Sequence, residues 1–171
     1  APNRSTETSP LAFILSTNGQ GGNSGSATKT YVDARIKLAN DGINEVGDPH
    51  PVTATVEVND GQGWDPAPAG VIVDLTETGP GAIPATCTTS AAGACTVDLT
   101  STTAGVSTVH ASASTNVLGE IITRETSTAL NTAAGGSGDL TKRWVAGFVT
   151  ITPSSVWCTT YWPSPMGRPR S

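Results

Sequence analysis

The sequence has few aromatic residues, few charged residues and no long apolar run. Aromatic residues make up 5% and charged residues 13% of its 171 residues. The one apolar run near the start, residues 11–15, is far shorter than the roughly 20 apolar residues that span a bilayer. We therefore expect no membrane insertion. The length allows one full domain and a remnant of another, not two domains with independent cores.

Basic side chains are particularly scarce. Residues 30–140 contain 13 acidic and 3 basic side chains, and the whole chain has a formal net charge of −5. An acidic surface repels the phosphate backbone of DNA and RNA. We therefore expect no nucleic-acid partner.

Hydroxyl-bearing residues are abundant instead. The chain holds 27 Thr and 16 Ser beside 19 Gly and 12 Pro, a composition that favours strands joined by turns. Apolar and polar residues alternate with a period of two in residues 32–38, 52–58, 71–75, 95–99, 108–113 and 118–126. These six or so strands predict an all-β fold, specifically an antiparallel two-sheet sandwich of immunoglobulin-like type, with a barrel as the alternative.

The sequence contains an internal repeat. Residues 18–32 align without gaps to residues 131–145 at an offset of 113. Seven positions are identical: Asn18/Asn131, Gly22/Gly135, Ser24/Ser137, Gly25/Gly138, Thr28/Thr141, Lys29/Lys142 and Val32/Val145. The alternative is that two Gly/Ser-rich linkers resemble each other by composition alone. The repeat predicts three parts: residues 1–27 end a preceding repeat and its linker, residues 28–138 form an immunoglobulin-like domain, and residues 139–171 begin the next repeat with an atypical tail. A Gly/Ser-rich joint precedes each start, at residues 19–26 and 133–138, and such joints are typical of flexible linkers.

Two of the three cysteines lie close together. Cys87 and Cys95 bracket a turn-like stretch, and Cys95 begins an alternating strand. A hairpin disulfide is the expected state, with two free thiols as the alternative. Zinc is not expected, because there is no second cysteine pair and His50 and His110 lack ligand spacing. We predict no metal and no cofactor.

No set of residues has the composition of a catalytic site. His50 lies between two prolines, which is typical of a turn that leads into a strand, and His110 alternates outward on a Thr/Ser face. Neither has an obvious nucleophile or orienting group beside it in the sequence. We therefore predict no catalytic residue and a chain that is not an enzyme.

One loop could hold a ligand. Asp60 and Asp65 flank Trp64 in the stretch Asp-Gly-Gln-Gly-Trp-Asp-Pro. An indole with neighbouring carboxylates could serve as a platform for a sugar ring, and exposure of Trp64 is the feature that would favour this. The alternative is that Trp64 covers the open end of its own sandwich.

Three segments carry a resemblance to a known family. Residues 21–36, residues 44–58 and residues 95–111, with a Thr-Ala-Gly corner at 103–105 before an alternating strand, resemble the bacterial immunoglobulin-like repeats of the invasin/intimin type. Such repeats occur in tandem in large surface or secreted proteins. The resemblance implies a non-enzymatic structural spacer in an extracellular adhesin-like or envelope protein at the cell surface, with neighbouring repeats of the same chain as its partners.

Two other functions stay open from the sequence. The apolar residues 11–15 could add a strand to a neighbouring subunit and build an extracellular filament, although they align with the last part of a preceding repeat. A module that binds a cell-surface glycan or protein is the second alternative. The tail from Trp157 onward departs from the repeat, which indicates either a shifted reading frame or a natural terminus.

Overall fold

The computed structural model describes residues 24–150, which form strands and one short helix. The strands are β1 (Asp33–Ala39), β2 (Gly42–Glu45), β3 (His50–Asn59), β4 (Trp64–Pro66), β5 (Ile72–Thr78), β6 (Gly81–Ala82), β7 (Thr86–Thr88), β8 (Ala94–Ser101), β9 (Gly105–Val117), β10 (Glu120–Glu125) and β11 (Leu140–Val145), with helix α1 (Ala129–Ala133) between β10 and β11. The predicted all-β class is confirmed.

The strands form two sheets. The first sheet has the order β1-β3-β8-β6, and β4 pairs with the distal end of β3. The second sheet has the order β2-β11-β9-β5-β7, and β10 pairs with the distal half of β9. The two layers give a sandwich-like architecture, in agreement with the two-sheet prediction.

The core lies between the sheets and consists mostly of small side chains. In β3, the alternating residues Val52, Ala54 and Val56 are buried, as the period-two pattern predicted. They pack in one cluster with residues of the second sheet. The largest fully buried side chain is Trp144 of β11. Among the described residues, Trp144 is the one aromatic side chain of the buried core, and it comes from β11.

One pair of strands contradicts the prediction of purely antiparallel sheets. β2 runs parallel to β11, with Gly42 opposite Lys142 and Glu45 opposite Val145. After β1, Asn40 has φ 78°, and the chain leaves the first sheet to lie beside the last strand of the second. The second sheet is therefore mixed. β2 is only four residues long, too short to show alternation in the sequence.

The predicted disulfide is confirmed, but its position is not that of a simple hairpin. Cys87 lies in β7 of the second sheet and Cys95 in β8 of the first, with their Cα atoms 6.0 Å apart. A tight turn between them, in which the Ser90 amide donates to the Ala94 carbonyl at 2.9 Å, carries the chain from one sheet to the other. The disulfide therefore joins the two layers.

The folded unit differs from the predicted range 28–138. β11 begins at Leu140, beyond that range, and pairs with both β9 and β2. The Gly/Ser-rich residues 133–138, predicted to be a flexible linker, follow α1 and contact β1. Strand pairing in the described part of the chain thus runs from Asp33 to Val145.

The helix was not predicted, because five residues are too few for a helical period to show. It begins after Thr128, whose hydroxyl caps it by accepting from the Asn131 amide. Within residues 24–150 there is no helix of the length and apolarity that a membrane crossing requires.

Removing the disulfide should destabilise the fold. We expect the double variant Cys87→Ser/Cys95→Ser to lose about 2–3 kcal/mol of unfolding free energy, because the cross-link no longer restricts the unfolded chain. Urea unfolding followed by circular dichroism measures this, with Cys158→Ser as the background in both proteins to prevent pairing through the third cysteine. An unchanged urea midpoint in the double variant would show that the bond does not stabilise the two layers.

Candidate functional site

The segment that the internal repeat singled out makes hydrogen bonds to both sheets. We call residues 131–145 the closing segment, because it contacts β1 of the first sheet and then forms β11 of the second. Its sequence predicted a linker followed by the start of another repeat. Its side chains instead hold the two ends of the fold together.

Asn131 closes the free edge of β1. Its Oδ1 accepts from the Ile36 amide at 2.8 Å, and its Nδ2 donates to the Ile36 carbonyl at 3.0 Å. Ser137 continues this pairing, since its Oγ accepts from the Leu38 amide at 2.8 Å. Asn131 is fully buried. One side chain thus takes the place of a neighbouring strand and satisfies both backbone groups of a buried residue.

The glycines beside Asn131 are required by packing and backbone geometry. A Cβ on Gly136 would lie 2.2 Å from the Asn131 side chain, and Gly135 has φ +82°. Any larger residue at either position would displace the buried amide or strain the backbone. The composition that resembles a flexible linker therefore reflects close contact.

Lys142 is the most unusual residue of the closing segment, because it is a fully buried lysine. Its Nζ donates to Asn44 Oδ1 at 2.7 Å and lies 3.0 Å from His50 Nδ1. Burial lowers the pKa of Lys142 below its ordinary value of 10.5, against the opposing influence of Asp41. Lys142 lies on the same face of β11 as buried Leu140 and Trp144, although its burial was not predicted from the sequence.

His110 belongs to a second polar cluster, although the sequence predicted a plain surface residue. Its Nδ1 lies 2.9 Å from Asp139 Oδ1 and 3.1 Å from Thr126 Oγ1, and Thr126 also donates to Asp139. Both contacts use the same ring nitrogen, so the histidine does not relay a proton between hydroxyl and carboxylate. Thr126 is 1% exposed, which keeps its hydroxyl from solvent. The geometry is that of a structural tie between β9 and the start of β11.

Asp139 is held in its charged form by this cluster. Burial raises the pKa of its carboxyl, but hydrogen bonds from Thr126 and His110, together with Ser127, outweigh burial and lower it below 3.8. The carboxylate is therefore a fixed acceptor at the point where the chain enters β11.

The predicted ligand residues lie around β4. Trp64 begins this strand and is half-buried, with the Arg35 guanidinium 4.1 Å from its ring. Arg35 is itself fixed by Glu57, whose Oε2 accepts from its Nε at 2.8 Å. One face of the indole is thus occupied by a cation of the same chain, a contact that stabilises the edge of the first sheet.

The two carboxylates of the predicted ligand site are placed differently. Asp60 lies in the turn before β4, where its Oδ1 accepts from the Gln62 amide at 3.0 Å. Asp65 is exposed on β4, opposite Val58. Ligand binding at Trp64, Asp60 and Asp65 stays a prediction. The partner that the sequence did not reveal is Arg35, which precedes Trp64 by 29 positions.

Comparison with known proteins found no similar protein. No family model matches the chain, and neither a curated protein nor a solved structure does.

Glu57 should make stability depend on pH. The hydrogen bond from Arg35, assisted by Lys37, lowers the pKa of Glu57 below 4.5. A lowered pKa in the folded state stabilises the fold above pH 4.5, and this contribution is lost as the pH falls through the folded-state pKa. We expect Glu57→Gln to lower the free energy of unfolding by about 1 kcal/mol at neutral pH, and by progressively less as the pH falls. Urea unfolding across this range measures it, and a cost independent of pH would contradict the assignment. Glu120→Gln, on an exposed residue, is the control.

Asn131→Ala should lower the free energy of unfolding more than the substitution of an exposed asparagine does. Without the carboxamide, the amide of buried Ile36 loses its partner, whereas its carbonyl still accepts from the Ser137 amide. We therefore expect a loss of about 1–3 kcal/mol in unfolding free energy. Asn116→Ala is the matched control, because that side chain bonds one backbone amide in an exposed turn, and it should cost about 1 kcal/mol or less. Equal costs for the two variants, measured by urea unfolding, would contradict the role of Asn131.

Proposed function

We propose that this chain is part of a tandem array of immunoglobulin-like modules that serves as a non-enzymatic spacer in an extracellular, adhesin-like or envelope surface protein. The observation that carries the proposal is an agreement of two lengths. The paired strands run from Asp33 to Val145, a span of 113 residues, and the internal repeat has an offset of 113. The length of the paired region equals the offset of the repeat, so consecutive modules would follow one another without an added linker.

The repeated positions are those that carry structural contacts. Asn131, Ser137 and Lys142 each bond another element of the fold, and all three recur in residues 18–32. Composition alone does not select these positions. Their recurrence supports the interpretation that residues 18–32 are the closing segment of a preceding module.

The flanks of the described chain support the same interpretation. Tyr31 is 80% exposed, whereas its counterpart Trp144 is 1% exposed. Val149 is 90% exposed, whereas its counterpart Ile36 is fully buried. Apolar side chains that are buried inside the module are thus exposed in its flanks, as expected if their own modules are missing.

Residues 18–32 differ from the closing segment at one position that matters for packing. Asn23 stands opposite Gly136, where an added Cβ would lie 2.2 Å from Asn131. A preceding module would therefore need a shifted loop at this point, while keeping the paired positions on either side.

The strand order supports an immunoglobulin-like topology. In that fold, strands A, B and E are neighbours in one sheet and C, F and G in the other. Here β1, β3 and β8 are neighbours in the first sheet, and β5, β9 and β11 in the second, in the same chain order. The short edge strands β6 and β7, which alternate between the sheets, are the departure from that scheme.

The disulfide between the layers supports an extracellular location. Stable disulfides persist in oxidising compartments and are rare in the cytosol. The excess of acidic side chains and of Thr and Ser on the surface suits an exposed spacer that stays soluble.

Truncation tests the proposed module and its role as a spacer. A chain of residues 33–150 should unfold cooperatively, within about 0.5 kcal/mol of the full chain, because the removed residues belong to another module. A chain of residues 33–138 lacks β11 and should not fold. By light scattering, the full chain and residues 33–150 should both be monomeric.

Three outcomes would contradict the proposal. Polymerisation of the full chain that disappears when residues 1–32 are removed would favour the filament subunit. Cooperative folding of residues 33–138 would show that β11 belongs to the next unit. Glycan binding that Trp64→Ala abolishes would favour the binding module.

A further inference from the structure

Lys142 carries a feature that a spacer does not need for its fold, namely a buried amine in contact with a carboxamide. Nζ lies 2.7 Å from Asn44 Oδ1, and the carbon of the carboxamide, Cγ, is bonded directly to that oxygen. In the part of the chain that the structure describes, no carboxylate forms an ion pair with Lys142. A lysine without a counterion in a buried position is the form of this side chain that acts as a nucleophile.

His50 completes the arrangement with a base. Its Nε2 contacts the Asn40 carbonyl, which only accepts hydrogen bonds, so Nε2 carries the proton and Nδ1 is left with a free lone pair. Nδ1 lies 3.0 Å from Lys142 Nζ. Nζ thus lies within hydrogen-bond distance of a base, His50 Nδ1, and of Asn44 Oδ1, the oxygen bonded to the electrophilic carbon.

We propose that Lys142 and Asn44 join in an intramolecular isopeptide bond, with His50 as the proton carrier. The Nζ lone pair attacks Asn44 Cγ while His50 Nδ1 accepts a proton from Nζ. The bond between Cγ and Nδ2 then breaks as His50 returns the proton to Nδ2, and one ammonia leaves. One C–N bond forms and one breaks, and no oxidant, reductant or further reactant takes part.

The neighbouring residues suit this step. Burial lowers the pKa of Lys142, which increases the share of neutral amine. The parallel pairing of β2 and β11 fixes the register of the two side chains. Holding two reacting groups in one geometry is the main requirement of an intramolecular reaction.

The bond would link β2, near the start of the module, to β11 at its end. This consequence rests on the proposed function: in an array under tension, force enters the module at its two ends. A covalent link between Asn44 and Lys142 would carry that force directly and keep the intervening chain folded.

The test is the intact mass of the full chain after denaturation and reduction of the disulfide. We expect a mass below that of the sequence by one ammonia, about 17 Da, and a proteolytic fragment in which the peptides of Asn44 and Lys142 are joined. A mass equal to that of the sequence would overturn the proposal.

Variants locate the loss of ammonia. Asn44→Ala and Lys142→Arg should each have the mass calculated from the sequence, and His50→Phe should stay largely unlinked. Lys29→Arg, which changes the lysine at the repeated position, is the matched control and should keep the loss. A loss that persists in Lys142→Arg would indicate cyclisation of an asparagine with its own backbone, and would overturn the proposal. If Lys142→Arg fails to fold, Asn44→Ala provides the same test, because it alters only a half-buried side chain.

This experiment and the truncation series fail independently. The mass reports a bond inside one module, whatever lies before or after it. An unlinked chain that stays monomeric would overturn the isopeptide bond and leave the spacer in place. A chain that contains the isopeptide bond but polymerises through residues 1–32 would overturn the spacer and leave the isopeptide bond in place.

Discussion

The pairing of β11 on both sides is the interaction on which the rest of the structure depends. β11 lies between β9, to which it is antiparallel, and β2, to which it is parallel. It also supplies Trp144, the largest fully buried side chain, whose Nε1 donates to buried Ser107 at 3.0 Å. The last strand therefore joins the start of the chain to its centre, and a fold that lacks it would lose both the register of β2 and the apolar anchor of the core.

A core of small side chains makes polar contacts unusually important here. Val, Ala and Thr each bury little apolar area, so each residue contributes only modestly to the free energy of folding. The fold compensates with specific ties: the Cys87–Cys95 disulfide between the layers, Asn131 on the edge of β1, and the cluster around Asp139. Each tie connects segments that are distant in sequence or lie in different sheets. This also explains why the Gly/Ser-rich residues 135–138 lie against Asn131 and β1.

The sequence predicted those features that depend on local pattern. Period-two alternation identified the strands of the core, such as β3 with Val52, Ala54 and Val56, and a short spacing identified the disulfide. It did not predict contacts between distant segments. Neither the parallel pairing of β2 nor the contacts of Lys142 with Asn44 and His50 follow from neighbouring residues, because each depends on where a remote strand lies. The internal repeat stays a prediction. The sequence did not reveal that strand pairing continues past residue 138, since glycines that fit against Asn131 have the composition of a linker.

The central claim is that the module extends from β1 to β11 and excludes the residues before it. Amide hydrogen exchange of the full chain tests this most directly, because it reports for each residue whether its amide opens only with global unfolding. The account predicts that the interior amides of residues 140–145 exchange as slowly as those of β9, while those of residues 24–32 exchange freely. Protection of residues 24–32 together with rapid exchange in residues 140–145 would contradict it.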